Sequence, residues 1–174
     1  MVDLILGLML LFQLITPVAH DASGKPEVWL LRDGGLLSLP SVTAAGGKTK
    51  GLDNYIYTGG DTNLGMDLSF ASQKAVLRIT DNMPVFTVHS DGDVSEPVLV
   101  RLKKKKDRRI LRMQPSSATI DNKYGFRKQD IMRLVLTVNP DKSFTMQPER
   151  SLKPGEYIIV TGSPNSGCDF GVDK

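Results

Sequence analysis

Residues 152–161 read LKPGEYIIVT, and this stretch decides the fold class. Pro154 presets φ and Gly155 accepts a positive φ, which together predict a type II turn ahead of a strand from Ile158 to Thr161. Tyr157 stands just after that turn. Its hydroxyl is expected to bond back to the upstream backbone, as in the tyrosine corner of a β-sandwich.

Working outward from this strand, a period of two recurs along the chain. Ala75, Leu77 and Ile79 alternate with Val76, Arg78 and Thr80, and Phe86 and Val88 with Thr87 and His89. Val98, Val100 and Leu102 alternate with Leu99, Arg101 and Lys103. Met132, Leu134, Leu136 and Val138 alternate with Arg133, Val135 and Thr137, and Phe144 and Met146 with Ser143, Thr145 and Gln147. Alternation of this kind marks half-buried strands. Turn chemistry separates them at Asp33-Gly34-Gly35, Asp81-Asn82-Met83-Pro84, Asp91-Gly92-Asp93 and Asn139-Pro140-Asp141.

No helical stripe is sustained after residue 22; the best helical candidate is a short turn near Lys128 to Met132. Ser41 to Gly65, rich in glycine and polar residues, reads as a long loop or paired excursions. The expected fold is all-β: an antiparallel β-sandwich, immunoglobulin-like or related, of about seven to nine strands. Patterning defines strands but not closure, so a barrel fits the same pattern. The expected core is Trp29, Leu31, Leu77, Ile79, Phe86, Val88, Val98, Val100, Leu134, Leu136, Phe144, Tyr157 and Ile159.

The 174 residues, 40% hydrophobic and 24% charged, suit one globular domain. One cysteine excludes an internal disulfide framework and a cysteine-based zinc cluster, and two histidines leave little for a histidine-rich metal site. No cofactor, metal ligand set or catalytic residue is expected.

Leu4 to Ile15 reads LILGLMLLFQLI, followed by Pro17 and Ala19. The run is shorter than the roughly 20 residues of a membrane span and matches the core of a secretory signal peptide. Residues 1–22 are therefore expected to form an apolar signal helix, and 23–174 a single β-sandwich domain that is periplasmic or secreted. No Lys or Arg precedes Lys25, as a start placed too far downstream would explain, and the cleavage pattern is poor, so an uncleaved anchor is the alternative, with membrane contact through this segment alone. Removing 1–22 takes away Asp3 and Asp21 and no base, which raises the net charge from +3 to +5.

Val28-Trp29-Leu30-Leu31, Gly35 to Leu39, Pro84-Val85-Phe86, Leu99 to Leu102, Lys106 to Arg109, the Pro-Gly-Glu-Tyr turn and the ending Cys168-Asp169-Phe170-Gly171-Val172-Asp173 follow in order. This series resembles a group of secreted bacterial β-domains that share a Pro-Gly-Glu-Tyr strand and a Cys-x-Phe-Gly-Val-Asp ending. Asp169 departs from the group, which has an apolar or small residue beside the cysteine. The resemblance implies an envelope or secreted domain and carries over no catalytic residue.

Arg101 to Arg112 reads RLKKKKDRRILR, with eight bases and one acid, Asp107. Two alternating strands flank Lys104 to Asp107, so the run is expected to be a basic hairpin tip. Arg101, Lys103, Lys104, Lys105, Lys106, Arg108, Arg109 and Arg112 are the candidate binding residues, because clustered positive charge draws polyanions through counterion release. For an exported domain the ligand class is an anionic envelope polysaccharide or lipid rather than nucleic acid. The other reading of the run is a solvated tip whose lysines prevent edge-to-edge pairing.

Four further features have structural readings. Gly46-Gly47-Lys48-Thr49 resembles the end of a phosphate loop, but Val42 stands where a glycine is needed, and it is expected to be a flexible loop. His89-Ser90-Asp91-Gly92-Asp93 gathers catalytic residue types without a nucleophile elbow and reads as a turn. Cys168 is expected to be buried, and Trp29 to belong to the core. The functional expectation is a non-enzymatic envelope domain with a structural or protein-interaction role, with polyanion binding by the basic hairpin as the alternative.

Overall fold

The computed structural model describes residues 27–50, 65–89, 96–115 and 124–174. The expected signal segment 1–22, residues 51–64 and Ser90 to Asp93 lie outside the described residues.

The chain runs through β1 (Glu27–Arg32), β2 (Gly35–Ser38), β3 (Ser41–Thr43), β4 (Gly46–Lys50), β5 (Gly65–Ala71), β6 (Arg78–Ile79) and β7 (Val85–His89). It continues through β8 (Val98–Lys104), β9 (Arg108–Pro115), β10 (Tyr124–Phe126), β11 (Ile131–Met132), β12 (Leu134–Val138), β13 (Phe144–Pro148), β14 (Gly155–Val160) and β15 (Ser166–Val172). A 3-10 turn, Lys128–Asp130, occupies the place of the helical candidate.

The protein is thus all-β, with antiparallel sheets. One sheet has the order β12-β13-β7-β1-β2. The other, β3-β15-β14-β8-β9-β5-β4, curls as a half-barrel and carries β6, β10 and β11 on β15, β9 and β8. Among the described strands only β6 runs parallel to its partner. The fifteen described strands exceed the expected seven to nine, because bridges as short as Ile131–Met132 and the excursion β3–β4 add to the long strands. Part of Ser41 to Gly65 is therefore strand, and the Gly46-Gly47-Lys48-Thr49 stretch pairs with β5 instead of forming a flexible loop.

Two cores result. Val28, Leu30, Phe86, Val88 and Met146 of the first sheet meet Leu99, Tyr157, Ile159 and Phe170 of the second. Leu68, Phe70, Val100, Leu102, Leu111, Met113, Ile158 and Val160 pack together within the curl of the second sheet. Consequently β8 and β14 bury both faces, which is why Tyr157 to Val160 form an unbroken apolar run. Val98 and Val100 belong to the inner core, and Leu99, placed outside the core by alternation, is fully buried.

One register expectation fails. In β1 the core-facing residues are Val28 and Leu30, while Leu31 is 49% exposed. A shift of one residue moves every side chain to the other face. Trp29 is nonetheless buried, with its ring edge-on to His89 at 5.6 Å.

The expected corner forms: the Tyr157 hydroxyl donates to the Lys153 carbonyl at 2.6 Å, and its ring stacks on Phe170. The turn before it differs from expectation. Gly155 has no positive φ and begins β14. A Cβ there would lie 3.2 Å from the Arg101 guanidinium, so this glycine makes room for an arginine. The positive-φ pair is Asp33-Gly34, which joins β1 to β2 as a two-residue hairpin turn.

The alternation from Ala75 to Thr80 shortens to the bridge Arg78–Ile79. The Ala75 N–H is taken by the Glu156 side chain instead of a neighbouring strand.

Candidate functional site

Strands β8 and β9 form the expected basic hairpin. Lys104 faces Arg109 in the ladder, and the Lys105 N–H donates to the Arg108 carbonyl at 2.8 Å to close the turn. The eight bases of the run do not share one environment. Lys103, Lys105 and Lys106 are exposed, and none is in an ion pair among the described residues. Arg108 is also exposed but grips its neighbour Asp107 through two hydrogen bonds of 2.9 and 3.0 Å. That contact holds the Asp107 carboxyl below the usual range.

Arg109 is the residue farthest from expectation. It is 4% exposed and points into the curl on the same side as Leu111 and Met113. One guanidinium nitrogen pairs with the buried carboxylate of Asp169, while the others donate to the Ala71 and Ser72 carbonyls at 2.8 and 3.3 Å. Burial raises the Asp169 carboxyl above the usual range against the pull of Arg109, and the neighbouring Glu156 charge adds to the rise. The Asp169 that departs from the resembled pattern thus has a structural partner within the basic run.

Glu156, fully buried on β14, continues this network. It accepts from Arg78 at 2.6 Å and from the Ala75 N–H at 2.8 Å, with the Lys104 ammonium 3.4 Å away. Arg78 also pairs with Asp173, whose carboxyl is held low by that contact. Buried carboxylates demand such partners, because an ion left uncompensated away from water is costly. Arg112, half-buried, reaches Asp130 at 3.1 Å.

Arg101 lies on the opposite face of β8 from Lys104, level with Tyr157 in the ladder. Its guanidinium sits 5.9 Å above the Tyr157 ring, donates to the Pro154 carbonyl at 3.0 Å and fills the space left by Gly155. It lines two adjoining clefts. One, of about 440 Å³, is bounded by Ile131, Met132, Arg133, Glu149, Arg150 and the Ser151-Leu152-Lys153 segment. The other, of about 320 Å³, contains Lys74, Arg78 and Lys104 facing Glu156 and Asp173.

Sequence reading missed Arg133, Arg150 and Lys153. They are scattered singly along the chain, and only the pairing of β11 with β8 and the packing of the 149–153 turn bring them beside Arg101. The signal present was the outward position of Arg133 in an alternating strand.

The other flagged residues take structural places. His89 ends β7 and reaches Asp141 at 3.2 Å, while the Ser143 hydroxyl is taken up by that same carboxylate at 2.7 Å. These bonds hold Asp141 low, Ser143 contributing most. Cys168 is buried, and burial together with Asp169 pushes its thiol up to about 11. Among the described residues no three His, Cys, Asp or Glu side chains gather to hold a metal ion. No protein-family model, curated protein or solved structure matches the chain.

Proposed function

We propose that the chain is a non-enzymatic envelope domain, secreted or periplasmic, built as a β-sandwich that binds an anionic envelope polymer through its basic hairpin. One observation carries this reading: Lys103, Lys105, Lys106 and Arg108 crowd one exposed turn with Asp107 as the sole acid. Such a surface neutralises several polymer charges at once and releases their counterions. The core shared by two sheets supports the sandwich reading. The apolar run at 4–15 supports export.

The test uses the full chain on immobilised polygalacturonate and on immobilised polyphosphate. Wild-type protein is expected to be retained at about 50 mM salt and released steeply by about 200 mM. Replacing Lys103, Lys105, Lys106 and Arg108 by Gln should weaken retention sharply, with stability changed by no more than about 0.5 kcal/mol. Flat salt dependence, or equal retention of the variant, overturns the proposal.

A protein-interaction role has its own support. Strand β2 is a sheet edge whose four residues are all exposed, and Leu36 beside Leu31 is 51% exposed. Such an edge can pair with another strand. Concentration-dependent sedimentation that disappears in Leu36→Lys would favour this role.

A further inference from the structure

We infer that the larger cleft beside Arg101 is a specific subsite for one anionic group, a carboxylate or a phosphate, carried on a sugar chain. The inference rests on the polyanion reading and moves recognition away from the lysine-rich tip. The tip supplies general attraction, and the cleft supplies the fit.

Three observations support it. The first is charge without partners. Arg101, Arg133, Arg150 and Lys153 line this cleft against one acid, Glu149, and among the described residues none of the four is in an ion pair. The contrast with Arg78, Arg109 and Arg112, each bound to a carboxylate, is direct.

The second is a prepositioned guanidinium. Arg101 is half-buried and held by the Pro154 carbonyl, by the Tyr157 face and by the gap at Gly155. An arginine offers five N–H donors, and one described hydrogen bond uses one of them. A planar donor already fixed in place loses little freedom when it takes up a carboxylate or phosphate.

The third is a nonpolar flank. Ile131 and Met132 are half-buried in the short bridge to β8, and they give the cleft a nonpolar side. An apolar surface beside cationic donors suits a sugar ring that bears an anionic substituent.

The cleft also explains a feature of the sequence that the turn does not use. Gly155, which adopts no left-handed conformation, leaves room for Arg101, whose guanidinium a Cβ there would crowd at 3.2 Å. Gly155→Ala leaves every cleft residue present and shifts the guanidinium by a few tenths of an ångström.

The test is calorimetric titration of the full chain with trigalacturonate, with tripolyphosphate and with neutral maltotriose. One of the two anions should bind saturably, maltotriose should not, and the tighter anion identifies the substituent. Arg133→Gln/Arg150→Gln should weaken that binding at least tenfold, and Gly155→Ala several-fold, with unfolding midpoints unchanged for the exposed pair. Lys48→Gln, an exposed base on β4 outside both the tip and the cleft, should leave it within twofold. Absence of saturable binding by either anion overturns the inference, as does undiminished affinity in Arg133→Gln/Arg150→Gln. Polymer retention that persists while trianion binding is absent removes the subsite and leaves the hairpin reading standing. Trianion binding without polymer retention removes the hairpin reading instead.

Discussion

Arg109 and Arg150 carry the same guanidinium, yet the fold uses them in opposite ways. Arg109 is enclosed by the curled sheet and saturated by Asp169 and two carbonyls. Arg150 stands in a turn after β13, exposed beside a cleft and outside any ion pair among the described residues. Arg109 belongs to the conspicuous basic run, whereas Arg150 sits alone in sequence. The difference teaches that charge density along a chain is a poor guide to charge available at a surface. Availability depends on whether the fold supplies a carboxylate, and here Glu156, Asp169, Asp107 and Asp130 claim much of the run.

The largest expected effect tests the enclosed half of this contrast. Asp169→Ala leaves the Arg109 charge buried with carbonyl partners only, and urea unfolding should show a loss of about 3–5 kcal/mol. The double variant Arg109→Met/Asp169→Leu removes both charges and should recover most of that loss, because replacing a buried pair by packed apolar groups is often neutral. Failure to recover would mean that the carbonyl bonds to Ala71 and Ser72, rather than the charge pair, hold this corner.

How much of this was legible follows from which forces act locally. Alternation located β7, β8, β12 and β13, because each needs an apolar face; β14 was marked by the Pro154-Gly155 turn signal instead, and the Tyr157 corner was readable because its partner Lys153 lies four residues away. The second core was not readable. Val100 and Leu99 face different cores, and only the curl of the sheet makes both sides of β8 interior. The Arg109–Asp169 pair spans 60 residues of sequence, so no window contains it. Arg101 was flagged for its place in the run, but its three companions in the cleft come from distant connecting segments.

A smaller effect concerns pH. Cys168 borders the buried network, and its thiol is raised from 9.0 to about 11. The native thiol keeps its proton through that window while the unfolded one loses it, so stability should fall as pH rises from about 9 to about 11. Urea unfolding across this range should show the decline, and Cys168→Val should flatten it. An equal slope in the variant would assign the decline to other groups.

Smaller again is the corner. Tyr157→Phe removes the hydroxyl bond to Lys153 but keeps the ring under Arg101, and thermal unfolding should register a loss of about 1 kcal/mol. At the far end of the scale, Lys105→Gln/Lys106→Gln should change stability by less than about 0.5 kcal/mol. A larger loss at the tip would erase the distinction between enclosed and available bases.

The most direct test of that distinction is equilibrium urea unfolding of the full chain with Arg109→Ala and with Arg150→Ala, side by side in one buffer. Arg109→Ala leaves Asp169 uncompensated and should lower the midpoint by the equivalent of about 3–5 kcal/mol. Arg150→Ala should unfold with the wild-type midpoint. Equal midpoints for the two variants would contradict the account.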